Sequence, residues 1–169
     1  MSSSNRQTAL AAAALAAALG LLAACGFRLA GSEPLPAAMA RPYLSFTDPY
    51  TDFARDFARE LRAAGAQLQA APGRGATATV EVSRDSVEQR VLSVSARNIP
   101  TEYLLVYTVT YSVQGAAGQL LAPQTISLTQ DYSFSEQALL AKEHEAHMLR
   151  REMARDLAAI AIRRIASLK

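Results

Sequence analysis

One cysteine, two histidines and no large excess of charge of either sign narrow what this sequence can do. A single thiol, Cys25, leaves no disulfide to be made within the chain, so any core must hold by packing alone. Catalytic zinc takes three protein ligands. The two histidines lie together in "HEAH" (His144–His147), three residues apart, whereas a zincin helix spaces them by four. The Glu-x-x-His spacing of di-iron sites also fails, because Ala141 and His144 stand three residues ahead of His144 and His147. There is no G-x-S-x-G elbow and no phosphate-cradling glycine loop, and "GRG" (Gly73–Gly75) reads as a plain turn. No metal, cofactor or catalytic residue is therefore assigned, and a solvated helix face accounts for His144 and His147. Basic residues number 17 and acidic ones 15, and they interleave in "ARDFARELR" and "LRREMARD". Counterion-release binding needs a concentrated basic face, so nucleic acid is not an expected partner.

What the sequence does have begins at its N-terminus. Residues 9 to 24 are only Ala, Leu and one Gly, behind a polar segment whose one positive charge is Arg6. A charged n-region, an apolar h-region and small residues describe a secretory signal peptide. At 16 residues the run is shorter than the ~20 that a spanning helix needs. Leu22-Ala23-Ala24-Cys25 looks like a lipobox, the tetrapeptide at which bacterial lipoprotein precursors are lipidated and cut. Cys25 is thus the expected lipid attachment site, residues 1–24 the removed signal peptide, and 25–42, with Pro34, Pro36 and Pro42, a lipidated N-terminus and tether. Each buried CH₂ contributes ~0.8 kcal/mol, so more than one acyl chain makes a stable membrane anchor. In bacterial lipoproteins an aspartate after the cysteine retains the chain at the inner membrane; Gly26 stands there instead, which points to the outer membrane.

Residues 43–169 read as one domain. Tyr43–Phe46 is a short apolar strand. Over Thr51–Ala64, Phe53, Phe57 and Leu61 recur every four residues with charge opposite, which predicts a helix capped by Thr51 or Asp48 and stopped by Gly65. From Thr77 the period becomes two. A phase change between Val91 and Leu92 predicts a bulge in one long strand. "ARNIPTE" (Ala96–Glu102) turns the chain into Tyr103–Val113, where every odd position is Tyr, Leu or Val. "GAAG" (Gly115–Gly118) makes a hairpin into Leu120–Phe134, where Pro123 implies an edge or a bulge. A last helix runs from about Glu136 to Leu168, with Ser135 as its cap and a stripe of Leu149, Met153, Leu157, Ile160, Ala161, Ile165 and Leu168. The order β-α-β-β-β-α predicts an α+β fold: a four-stranded, mostly antiparallel sheet with two helices packed on one face. The other face is partly polar and free for a partner.

A family resemblance adds function to this outline. "CGFRLAG" (25–31) resembles the Cys-Gly-Phe-x-Leu-Arg-Gly start of the lipopolysaccharide-assembly lipoproteins, the LptE family. The similarity continues through "PTEYLLVYTVTY" and "LTQDYSFSEQALLAKEHEAHMLRREMARDLAAIAIRRI" and departs at Ala30, where the family usually has arginine. It implies a non-enzymatic outer-membrane lipoprotein that plugs a large LptD-like β-barrel and helps deliver lipopolysaccharide to the outer leaflet. Lipopolysaccharide is anionic at its phosphates. Arg97, before the tyrosine-rich strand, and Lys142, near the positive end of the last helix, are the candidate ligands. Arg84 and Arg90 follow on the same logic. The alternatives are an adaptor lipoprotein of another envelope transport system, or an envelope hydrolase using His144 or His147.

Overall fold

The computed structural model describes residues 34–73, 75–133 and 139–168. Cys25, Ala30, Phe134 and Ser135 lie outside these residues. Ahead of the first strand, Ala37–Met39 forms a 3-10 turn that buries Met39 completely, and Leu35 packs on the same core. The fold thus takes in residues on the tether side of the boundary drawn at Tyr43.

Strand β1 (Pro42–Phe46) leads into helix α1 (Asp52–Ala63). Thr51 is the cap: its hydroxyl accepts from the Ala54 amide at 3.0 Å, satisfying one of the orphan donors of the first turn. Asp48 instead accepts from the Tyr50 amide at 2.8 Å, an Asx-type turn that directs the chain into the cap. Asp52 in the first turn and Arg62 in the last suit the helix dipole. Gly65, at φ 95°, supplies the left-handed residue that ends it. Phe53, Phe57 and Leu61 are fully buried, and the two phenyl rings stack with centroids 5.4 Å apart.

Three long strands follow: β2 (Ala78–Val94), β3 (Pro100–Gly115) and β4 (Gly118–Ser133). The sheet order is β1-β2-β3-β4, with β1 parallel to β2 and the other pairs antiparallel. Helix α1 makes the crossover that a parallel pair requires. β2 is bulged at Val82/Arg84 as well as at the expected place between Val91 and Ser93. Pro123 falls where β4 slips register, between the pairs Tyr111–Gln124 and Val113–Leu121. That is a position at which a missing N–H costs no ladder bond.

Leu105, Tyr107, Val109, Tyr111 and Val113 of β3 all point to one face, and both helices cover it. Helix α2 (Leu139–Ala166) packs on α1 as well as on the sheet. Its buried stripe is turned from the expected one: Ile160 is half-buried, while Ala154, Ala158 and Ile162 join Leu157, Ala161 and Ile165 inside. A helix lying between a sheet and a second helix buries a wider arc. Three alanines on that arc let it approach closely. The opposite sheet face carries no helix among the described residues. It displays hydroxyls in cross-strand pairs, Thr108 with Ser127 at 3.1 Å and Thr110 with Thr125 at 2.9 Å.

Candidate functional site

The antiparallel register gathers four chain segments at one end of the sheet. Val94 pairs with Pro100 and Glu102 with Ser133, so the β2–β3 turn, the start of β3 and the end of β4 lie side by side. The first turn of α2 joins them there, because Lys142 Nζ donates to Ser133 Oγ at 3.3 Å. Both candidate cations belong to this end. No bond joins them.

Arg97 sits on a turn held by its own backbone. The Ser95 and Ile99 main chains bond at 2.8 Å, the Asn98 amide donates to the Ser95 carbonyl at 2.9 Å, and Ser95 Oγ accepts from the Ile99 amide at 3.2 Å. Asn98 takes φ 60°, which asparagine tolerates better than most residues. The Arg97 side chain is exposed and makes no ion pair among the described residues. Lys142 differs. Its side chain is 20% exposed and pairs with Glu145 at 2.7 Å. Glu145 is itself 45% exposed. Such a pair is worth ~0–1 kcal/mol, little enough for a phosphate to compete for the ammonium.

Beside Lys142 a cavity of about 270 Å³ opens between α2 and the helix-facing side of the sheet. Tyr103 and Tyr132 stack along it with centroids 5.7 Å apart. Burial raises the Tyr132 hydroxyl above its ordinary pKa, and the charges of Arg150 and Lys142 partly oppose the rise. Arg150 also lines the cavity; its Nη2 donates to Gln89 Oε1 at 3.2 Å and its Nε is buried without a partner. Two cations and two aromatic faces line the cavity with one carboxylate, Glu143, which leaves an excess of one positive charge for an anionic group with an apolar shoulder. Helical spacing sets Arg150 next to Leu149 and off the apolar stripe expected for α2. Only the approach of Gln89, 61 residues away, brings it here.

Arg84 and Arg90 lie elsewhere, on the helix-free face, where both pair with Glu88 at 3.3 and 2.7 Å. The Arg90 hydrogen bond and charge, aided by Arg84, hold the Glu88 carboxyl below its usual range. His144 and His147 are both exposed on α2. A larger cavity, about 510 Å³, lies between the two helices. Asp52, Asp56 and Glu152 there face Arg55, Arg151 and Arg155, so its charges offset one another and favour no anion.

Residues 42–165 match the model of the Lipopolysaccharide-assembly family LptE. The chain belongs to the LptE family. It is 30% identical over 145 residues to the LPS-assembly lipoprotein LptE of Yersinia enterocolitica, covering 86% of this chain and 69% of that one. The Yersinia pestis LPS-assembly lipoprotein LptE is 27% identical over 151 residues, covering 89% and 72%. Among solved structures, a lipoprotein B from Nitrosomonas europaea superposes with a TM-score of 0.69 at 26% identity, over 84% of this chain and 91% of that one. The rare lipoprotein B of Shewanella oneidensis gives 0.65 at 25% identity, over 75% and 94%. This LptE-family chain is thus a lipopolysaccharide-assembly lipoprotein of the envelope and not an enzyme. No helix among its described residues is long and apolar enough to cross a membrane.

Proposed function

We propose that this chain is an outer-membrane lipoprotein that plugs the lumen of a large LptD-like β-barrel. There it helps deliver lipopolysaccharide to the outer leaflet and holds the glycolipid by its phosphates. Residues 1–24 are the removed signal peptide, Cys25 carries the acyl chains, and the tether that follows it ends where Leu35 and Met39 join the core of the working domain. The observation that carries the glycolipid reading is the placement of Arg97 and Lys142 at one end of the sheet, in a chain of this family. The turn keeps Arg97 free of ion pairs among the described residues, and Lys142 lies in the first turn of α2, where the helix dipole adds to its field. The helix-free sheet face, with its paired hydroxyls, supports the barrel reading, since such groups can exchange water for the polar wall of a lumen.

Two measurements test the two halves. Detergent extraction of the lipidated chain should co-purify a large β-barrel; recovery of an inner-membrane transporter component instead would replace the partner assignment. Arg97→Asp with Lys142→Asp should weaken lipopolysaccharide capture by at least tenfold at low salt, because like charges then face the phosphates. Unchanged capture would discard those two residues as ligands and leave the barrel partner standing.

A further inference from the structure

The outer side of β2 is covered only where β1 lies beside it. β1 pairs with Ala78–Val82, and no described strand lies next to β2 beyond that point. Between its two bulges, from Arg84 to Val91, β2 runs in unbroken register against β3. Every second residue of this segment therefore turns its N–H and C=O outward with no strand to receive them. Val87 and Val91 are 37% and 53% exposed, on the side of the sheet that carries the helices. Glu88 and Arg90 are exposed on the other side. A regular edge with exposed valines is a pairing surface that soluble proteins usually block.

The segment is complementary to itself. Laid antiparallel against a second copy about Gln89, it sets Val87 opposite Val91 and Glu88 opposite Arg90, and two-fold symmetry makes each pair occur twice. Directly opposed residues share a face, so the valines meet on one side and the opposite charges on the other. Neighbouring registers are worse. Moving two residues one way opposes Glu88 to Glu88, and two the other way opposes Arg90 to Arg90. Shifts of one residue face outward-turned N–H and C=O groups with inward-turned ones and make no ladder. We infer that a second copy of this chain covers this edge, the two β2 strands pairing antiparallel about Gln89 to join both sheets into one. The pairing does not depend on the barrel or on lipopolysaccharide, and it hides the edge while no other partner is bound.

Cysteine cross-linking in the full lipidated chain, extracted in detergent and freed of other proteins, tests this register. The two-fold brings both copies of residue 89 to about 4.5–5.5 Å between Cα atoms, within disulfide reach. Gln89→Cys should give a disulfide-linked dimer on mild oxidation, against a background set by the wild-type chain. Val87→Cys alone places its thiols four residues apart along the strands, about 13 Å, and should not cross-link. Mixed with Val91→Cys chains, it should. Glu88→Arg opposes arginine to arginine twice and should lower the Gln89→Cys dimer yield roughly tenfold, and adding Arg90→Glu should restore it. Absence of the Gln89→Cys dimer would overturn the inference. So would a Val87→Cys dimer of equal yield, or no effect of the charge reversal.

Discussion

The Thr51 hydroxyl donates to the Asp85 carboxylate at 2.5 Å while accepting the Ala54 amide at 3.0 Å, so the residue that starts α1 is also fastened to β2. The Tyr107 hydroxyl bonds the same carboxylate from β3. Burial first, and then the Asp85 charge, raises the Tyr107 pKa far above its ordinary value, so this phenol stays protonated and remains a donor. Helix start, bulged strand and central strand are joined at one half-buried group.

Thr51→Ala removes both bonds at once. Loss of the cap and of a donor to a carboxylate should cost about 1–2 kcal/mol. Thermal unfolding should show the drop, and Thr51→Ser should recover most of it. Equal stability of the alanine variant would mean that neither bond contributes.

Asp85 should make stability depend on pH in an unusual direction for a carboxylate. Burial raises it above 3.8, and the hydrogen bonds from Thr51 and Tyr107 only partly offset the rise. The folded chain therefore holds the Asp85 proton more tightly than the unfolded one. Its contribution is complete below 3.8 and is lost as pH rises through the raised value. Asp85→Asn has no such proton to lose. The wild type minus Asp85→Asn difference in urea midpoint should fall as pH rises from about 4 toward 7. A difference constant across that range would contradict the assignment.

The turned stripe of α2 is tested by two truncations. Leu157 is fully buried, and Leu157→Ala should destabilise by about 2–5 kcal/mol through lost transfer energy and the cavity left behind. Ile160→Ala, at a half-buried position, should cost less than half as much. Costs of equal size would restore the stripe expected from spacing alone, which holds both residues.

Glu145 pairs with Lys142, so a phosphate held by Lys142 as proposed would have to compete with it. Glu145→Gln removes that competitor and should strengthen lipopolysaccharide capture about two- to fivefold at low salt, the range of an exposed ion pair. The gain should vanish when Lys142→Gln is added. A gain that survives would place the binding elsewhere.

Cys25→Ser should block acylation, so that the chain takes up no labelled fatty acid and co-purifies with membranes less. Incorporation of label into the serine variant would remove Cys25 as the attachment site.

The order of elements was legible in the sequence because periodicity is local. Phe53, Phe57 and Leu61 name a helix face by spacing alone, and the odd positions from Tyr103 to Val113 name a strand face. Cap chemistry narrowed the start of α1 to Thr51 or Asp48, and the geometry chose Thr51 because its hydroxyl reaches the Ala54 amide. Arg97 and Lys142 were picked out from sequence as candidates, through charge and their place next to a turn and a helix start; the structure sets both at one end of the sheet, and their binding role is a proposal. Spacing along one chain carries no information about which separate segments become neighbours. Only the tertiary structure could therefore bring Gln89 to Arg150, stack Tyr103 on Tyr132, and turn α2 so that Ala158 rather than Ile160 faces inward. It alone also decided that β1 stops beside Val82 and leaves Val87–Val91 on an open edge, because alternation along a chain marks a strand but only pairing settles which of its edges is covered.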